Sequence, residues 1–135
     1  MDTIYLIIPG KISDSFAEIV KIATENYQLT IIKTIKDFPV NLQNKKIIFA
    51  IELDECGFNI PLFEMLLKLK ERGDDSLLNS MAVMIIQSST ELFTKSTTQK
   101  IVFLANQMGC RFPGHPAVEA TYNLDNFLTW QKTYN

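Results

Sequence analysis

The run KIIFAIEL, Lys46 to Leu53, carries five consecutive apolar residues from Ile47 to Ile51 and then passes into the turn Asp54-Glu55-Cys56-Gly57. Unbroken apolar character over a stretch of this length marks a strand covered on both faces, because a strand with one wet face alternates apolar and polar residues. Two other runs share the pattern. TIYLII, Thr3 to Ile8, stops at Pro9-Gly10, and AVMIIQ, Ala82 to Gln87, exits through Ser88-Ser89-Thr90. LTIIKTI, Leu29 to Ile35, reads as a further strand, followed by a polar connection through Lys36, Asp37, Pro39 and Asn44 that has room for a short helix.

Helical patterns fill the intervals. Ser15 and Glu18 have capping-box spacing, and Phe16, Ile19, Val20, Ile22 and Ala23 recur at helical intervals, which predicts a helix from Phe16 to Asn26. Pro61 stands where proline favours a helix start. Leu62, Phe63, Leu66, Leu67 and Leu69 supply the apolar face, and Arg72-Gly73 closes it. A third helix carries Phe93, Ile101, Leu104, Ala105 and Met108 and ends at Gly109. Cys110 to Thr121, interrupted by Pro-Gly-His-Pro, holds a short last strand, and a final helix is expected from Leu124 to Lys132. Strand and helix alternate with no hairpin signal such as Asn-Gly between strands, which demands parallel strands joined by right-handed crossovers. The predicted fold is an α/β/α three-layer sandwich in one domain spanning residues 1–135. Its five-stranded parallel sheet has the flavodoxin-like order 2-1-3-4-5, which places the ligand crevice at the carboxyl ends of strands one and three.

Thirteen Lys and Arg against fifteen Asp and Glu give a formal charge of −2, so no basic field attracts nucleic acid or an anionic membrane. The apolar runs are too short to span a bilayer, and the N-terminus lacks the basic segment of a signal peptide, so a cytoplasmic location is expected. Cys56 and Cys110 have neither a CxxC partner nor a neighbouring His, which argues against a disulfide framework or a zinc site. His115, the single histidine, lies between Gly114 and Pro116 with no identifiable partner for acid–base work.

The loops exclude several chemistries that this architecture supports. A phosphoacceptor domain needs an acidic pair after strand one, where Pro9-Gly10 stands, and only Asp54 fits its pattern. A cysteine nucleophile is missing from the same loop, and Gly10 alone does not make the three-glycine dinucleotide fingerprint. Strand one leads instead into Gly10-Lys11-Ile12-Ser13-Asp14-Ser15. Free amides at a helix start, the hydroxyls of Ser13 and Ser15, and the Lys11 ammonium suit a phosphate monoester, although N-capping alone also accounts for the serines. In the loop after strand three, Gly57 permits close approach of a planar ring, Phe58 can pack on it, and backbone groups can bond its edge; the competing reading folds Phe58 into the core. Carboxylates of Asp54 and Glu55 beside a flavin would disfavour its anionic reduced form and make it a stronger reductant. Ser88, Ser89 and Thr90 offer hydroxyls to a ring edge or ribityl chain, or act as caps. The small net charge conceals a local acidic stretch at Glu52, Asp54 and Glu55.

The GKISDSF segment after strand one, then IELDECGFNIPLFEMLLKLKERG and QSSTELFTKSTTQKIVFLANQMGC, resembles the flavodoxin-like NAD(P)H-dependent FMN reductases. Phe58, Asn59 and Pro61 match that family's Pro-x-Tyr/Phe-Asn turn and second proline in type and spacing. The resemblance implies that Gly10, Lys11, Ser13 and Ser15 hold the FMN phosphate. It also implies that Glu55, Cys56, Gly57, Phe58 and Asn59 flank the isoalloxazine, and that Ser88, Ser89 and Thr90 line its other side. NAD(P)H as co-substrate, a redox partner protein and a homodimer that completes the flavin site are further implications. Two departures stand out: the phosphate loop lacks an Arg and a run of Ser, Thr and Asn, and Asp54-Glu55 replaces the family's first proline. They keep a second reading open, a flavodoxin-like domain that has lost flavin binding and acts as a protein-interaction module.

Overall fold

In the computed structural model, which describes residues 3–114 and 117–120, strand and helix alternate as the sequence predicts. The elements are β1 (Thr3–Ile7), α1 (Asp14–Thr24), β2 (Gln28–Ile32), a 3-10 turn (Ile35–Asp37), β3 (Lys46–Glu52), α2 (Ile60–Glu71), β4 (Met81–Gln87), α3 (Glu91–Gln107) and β5 (Ala117–Ala120). The sheet order is β2-β1-β3-β4-β5, with every neighbouring pair parallel. This is the flavodoxin-like α/β arrangement. The expected helix from Leu124 to Lys132, and His115, lie outside the described residues.

The unbroken apolar runs have a simple cause: alternate residues of one strand serve two cores. Ile47, Phe49 and Ile51 of β3 join Met84 and Ile86 of β4 in the larger cluster, which packs Leu62, Met65, Leu66 and Leu69 of α2 with Ile101 and Ala105 of α3. Ile48 and Ala50 point the other way, with Ile4 and Leu6 of β1, onto Phe16, Ile19 and Val20 of α1. In β3 and β4 both faces are therefore covered and no polar position survives in mid-strand, whereas the edge strand β2 carries the exposed Thr30.

Two of the boundaries that differ from the expectation have a side-chain cause; in addition α1 ends at Thr24 rather than Asn26 and β2 starts at Gln28. β2 ends at Ile32 and does not reach Ile35, because the Asp37 carboxylate accepts hydrogen bonds from the Lys33 and Thr34 amides at 3.0 and 3.1 Å. Those amides leave the ladder and the chain turns into the 3-10 helix that the polar connection had room for. The same two backbone donors hold the Asp37 carboxyl below its ordinary value. α1 begins at Asp14, two residues early, with Ser13 as its N-cap in place of Ser15: the Ser13 hydroxyl oxygen accepts from the Phe16 amide at 3.2 Å.

The cysteines separate by environment. Cys56 is exposed, whereas Cys110 is 2% exposed within the larger core, and burial pushes its thiol up to about 11. At pH 8 a disulfide-exchange reagent is expected to titrate one thiol in the native protein and two after urea unfolding. Two fast-reacting native thiols would show that Cys110 is not held in the core.

Candidate functional site

β1 and β3 are sheet neighbours, with Ile7 beside Phe49 in register, and their exits diverge toward helices on opposite faces. Divergence of adjacent parallel strands opens a crevice at their carboxyl ends. A hollow of about 470 Å³ lies there, lined by Gly10, Lys11, Ser13, Glu52, Leu53, Asp54, Glu55, Phe58, Asn59, Ile60 and Pro61. Its size is within the range of small-molecule sites, about 300–1,000 Å³. Another hollow, about 580 Å³, lies near the start of β4 among Met81, Val102, Asn106, Arg111, Phe112, Pro113 and Gly114. We take the first as the candidate site because it lies at the strand carboxyl ends and gathers convergent polar groups.

The wall after β3 is built by one carboxylate. Asp54 Oδ1 accepts from the amides of Cys56 and Phe58 at 2.9 and 3.0 Å, while the Asp54 amide donates to the Phe58 carbonyl at 2.8 Å. The turn closes through Gly57, whose φ of +84° suits glycine and whose missing side chain makes room for the Phe93 ring. Phe58 is left 54% exposed on the crevice, so the alternative in which it folds into the core does not hold. Asp54 is consumed by its own turn. Glu55 and Cys56 are exposed, and of these two only Glu55 lines the hollow.

Asn59 fastens the wall to the sheet. Its Nδ2 donates to the Glu52 carbonyl at 3.1 Å and the Pro9 carbonyl at 3.3 Å, and its Oδ1 accepts from the Leu62 amide at 3.0 Å as the N-cap of α2. One buried amide thus ties the exits of β1 and β3 to a helix start. Gly10, at φ +77°, lies against Pro61 on the facing side.

The centre of the site is Glu52. Its Oε1 accepts from the Ser13 amide at 2.6 Å, and its Oε2 accepts from the Ser13 hydroxyl at 2.6 Å and from Gln87 Nε2 at 2.9 Å. Gln87 is fully buried, and its Oε1 has no hydrogen-bond partner. Ser13 therefore donates both its protons to one carboxylate while its oxygen caps α1, and Ser15 Oγ lies 3.1 Å from Ser13 Oγ.

Of the residues the sequence singled out, the structure brings Gly10, Lys11, Ser13, Glu55, Phe58 and Asn59 together on one crevice. Ser15, Cys56 and Gly57 adjoin it without lining it. Ser88, Ser89 and Thr90 do not line it either: Ser88 is buried with its hydroxyl bonded to the Thr90 backbone, and Thr90 caps α3 through the Phe93 amide. Glu52 and Gln87 were missed as a pair. Their signal was present, since each is the polar residue ending an apolar strand, and the two are register partners. Electrostatically the hollow carries Glu52, Asp54 and Glu55 against Lys11 as the lone cation among its lining residues. Among the described residues no cluster of metal-ligating side chains forms, and no helix is long and apolar enough to cross a membrane.

No family model and no curated protein sequence matches the chain. Solved structures do. A Fusobacterium nucleatum flavodoxin bound to flavin mononucleotide superposes with a TM-score of 0.62 at 11% identity, covering 100% of each chain. A mutant of that flavodoxin, also bound to flavin mononucleotide, gives 0.63 at 12% identity over 84% of this chain and 69% of its own. Oxidised flavodoxin 1 from Bacillus cereus gives 0.65 at 13% identity over 98% and 94%. The chain has the flavodoxin-like fold.

Proposed function

We propose that this protein binds a flavin by its isoalloxazine ring, the part that FMN and riboflavin share, in the crevice between Gly10 and Phe58, and serves as a small electron-transfer flavoprotein. The observation that carries the reading is the half-exposed Phe58 ring held at a strand-end hollow of ring-accepting size, opposite Gly10 and Lys11. The flavin mononucleotide bound by two of the similar flavodoxins supports it. The residues present suit the ring: Leu53, Phe58, Ile60 and Pro61 give apolar contact, and Lys11 and Glu55 give polar ones. They do not suit a phosphate in the same way, because the Ser13 donors are already held by Glu52. A bound flavin would supply the redox chemistry; the chain would contribute placement, water exclusion and a negative field from Glu52 and Glu55 that favours the oxidised ring.

NAD(P)H-dependent reduction is the finer form of this proposal. Riboflavin and FMN are the probes: titration into the protein is expected to quench flavin fluorescence with a dissociation constant in the micromolar range or tighter for at least one of them. Oxidation of NADPH or NADH by the loaded protein then distinguishes a reductase from a carrier. A protein indifferent to both flavins would leave the second reading, a flavodoxin-like interaction module, which the Glu52–Ser13 pairing favours.

A further inference from the structure

We propose that Glu52 is a built-in substitute for a ligand's phosphate, holding the donors at the start of α1 so that the crevice takes a phosphate-free flavin in preference to FMN. The inference rests on the flavin reading of the crevice. An anion arriving at the β1–α1 loop would look for the Ser13 amide and hydroxyl, and both already donate to the Glu52 carboxylate at 2.6 Å. A phosphate must displace that carboxylate or sit beside it, and either course sets a dianion against a fixed negative charge in a hollow where Lys11 is the lone cation among the lining residues. A neutral ribityl hydroxyl meets no such opposition.

Gln87 is the second, independent observation. Its side chain is fully buried, and it directs Nε2 at Glu52 Oε2 while Oε1 is left without a donor. A buried amide orphaned at one end has its orientation fixed by what it faces at the other, and an ionised carboxylate requires the NH₂ end. Gln87 thus secures Glu52 from beneath, from the neighbouring strand, as Ser13 secures it from above. A carboxylate held from two sides on the register pair Glu52 and Gln87 is a constructed feature of the strand ends.

The test compares wild type with Glu52→Ala, which frees the Ser13 donors, and with Glu52→Gln, which removes the charge and turns one of the two accepting oxygens into an NH₂ donor while keeping the side-chain volume, and which remains available if the alanine variant fails to fold. Riboflavin and FMN dissociation constants are measured for each. Wild type is expected to bind riboflavin at least as tightly as FMN, and the FMN-to-riboflavin affinity ratio is expected to rise about tenfold or more in Glu52→Ala, with a smaller rise in Glu52→Gln. In parallel, the Ser13 amide resonance is followed by NMR during titration with inorganic phosphate. It should respond only in the variants. Saturable movement in wild type, a wild-type preference for FMN of tenfold or more, or no gain in either variant would overturn the inference. If phosphate moves Ser13 only in the variants while neither flavin binds any of the proteins, the role of Glu52 stands and the flavin reading of the crevice falls.

Discussion

Phe49→Ala is expected to lower the unfolding free energy by about 3–5 kcal/mol, the range for truncating a buried aromatic that leaves a cavity. Phe49 is fully buried at the middle of the central strand, beside Ile7 on one neighbour and Met84 on the other. Its ring stacks on Phe112 with centroids 6.2 Å apart and an interplanar angle of 23°. The ladders to β1 and β4 fix the β3 backbone, so relaxation into the gap is left to side chains of α2 and α3. Against a total stability of about 5–15 kcal/mol for a domain of ordinary size, this is a large share. Urea denaturation followed by circular dichroism measures it, with Phe49→Leu as the milder comparison. A loss under about 1 kcal/mol for the alanine variant would contradict the packing described for β3.

Asn59→Ala should rank second, at about 2–4 kcal/mol, by adding the loss of an N-cap to that of hydrogen bonds to two carbonyls. The Leu62 amide loses its cap, and the Pro9 and Glu52 carbonyls lose their donor. Asn59→Asp separates the contributions. The new carboxylate keeps the cap, with the favourable sign for a helix start, yet turns an acceptor toward two carbonyl oxygens. It should therefore also be destabilised at neutral pH. Because the folded state disfavours its charged form, its carboxyl titrates higher folded than unfolded, so stability relative to wild type should recover as pH falls toward about 4. An aspartate variant as stable as wild type at pH 7 would show that Asn59 Nδ2 does not hold the strand exits together.

The sheet was legible in the sequence because burial on both faces leaves unbroken apolar runs, and β1, β3 and β4 were located within a residue or two. Boundaries set by side-chain bonds were less so. Nothing local distinguishes Ser13 from Ser15 as a cap, since the choice depends on Glu52, far away in sequence. β2 ends where it does because Asp37 reaches back for two amides. At the site, residues at strand exits could be found from the order of elements alone, and Gly10, Lys11, Phe58 and Asn59, singled out in that way, line one crevice. Ser88, Ser89 and Thr90 satisfied the same criterion, yet in the fold the hydroxyls of Ser88 and Thr90 serve the backbone at the start of α3. The pairing of Glu52 with Gln87 required the register of β3 on β4, which periodicity does not supply.

That register also governs how the molecule assembles. Cα partners across the sheet are never fewer than 25 residues apart in sequence, as Thr3 and Gln28 show, and β3, third to be made, must add to the side of β1 away from β2. Each pairing closes a loop containing a whole helix before its contacts compensate for the lost chain entropy, so a sheet of this order forms more slowly than a helical bundle of equal length. β1 precedes β2 and β3 in the chain yet becomes an interior strand: until β3 emerges, one of its edges offers unpaired amides and carbonyls to any passing strand.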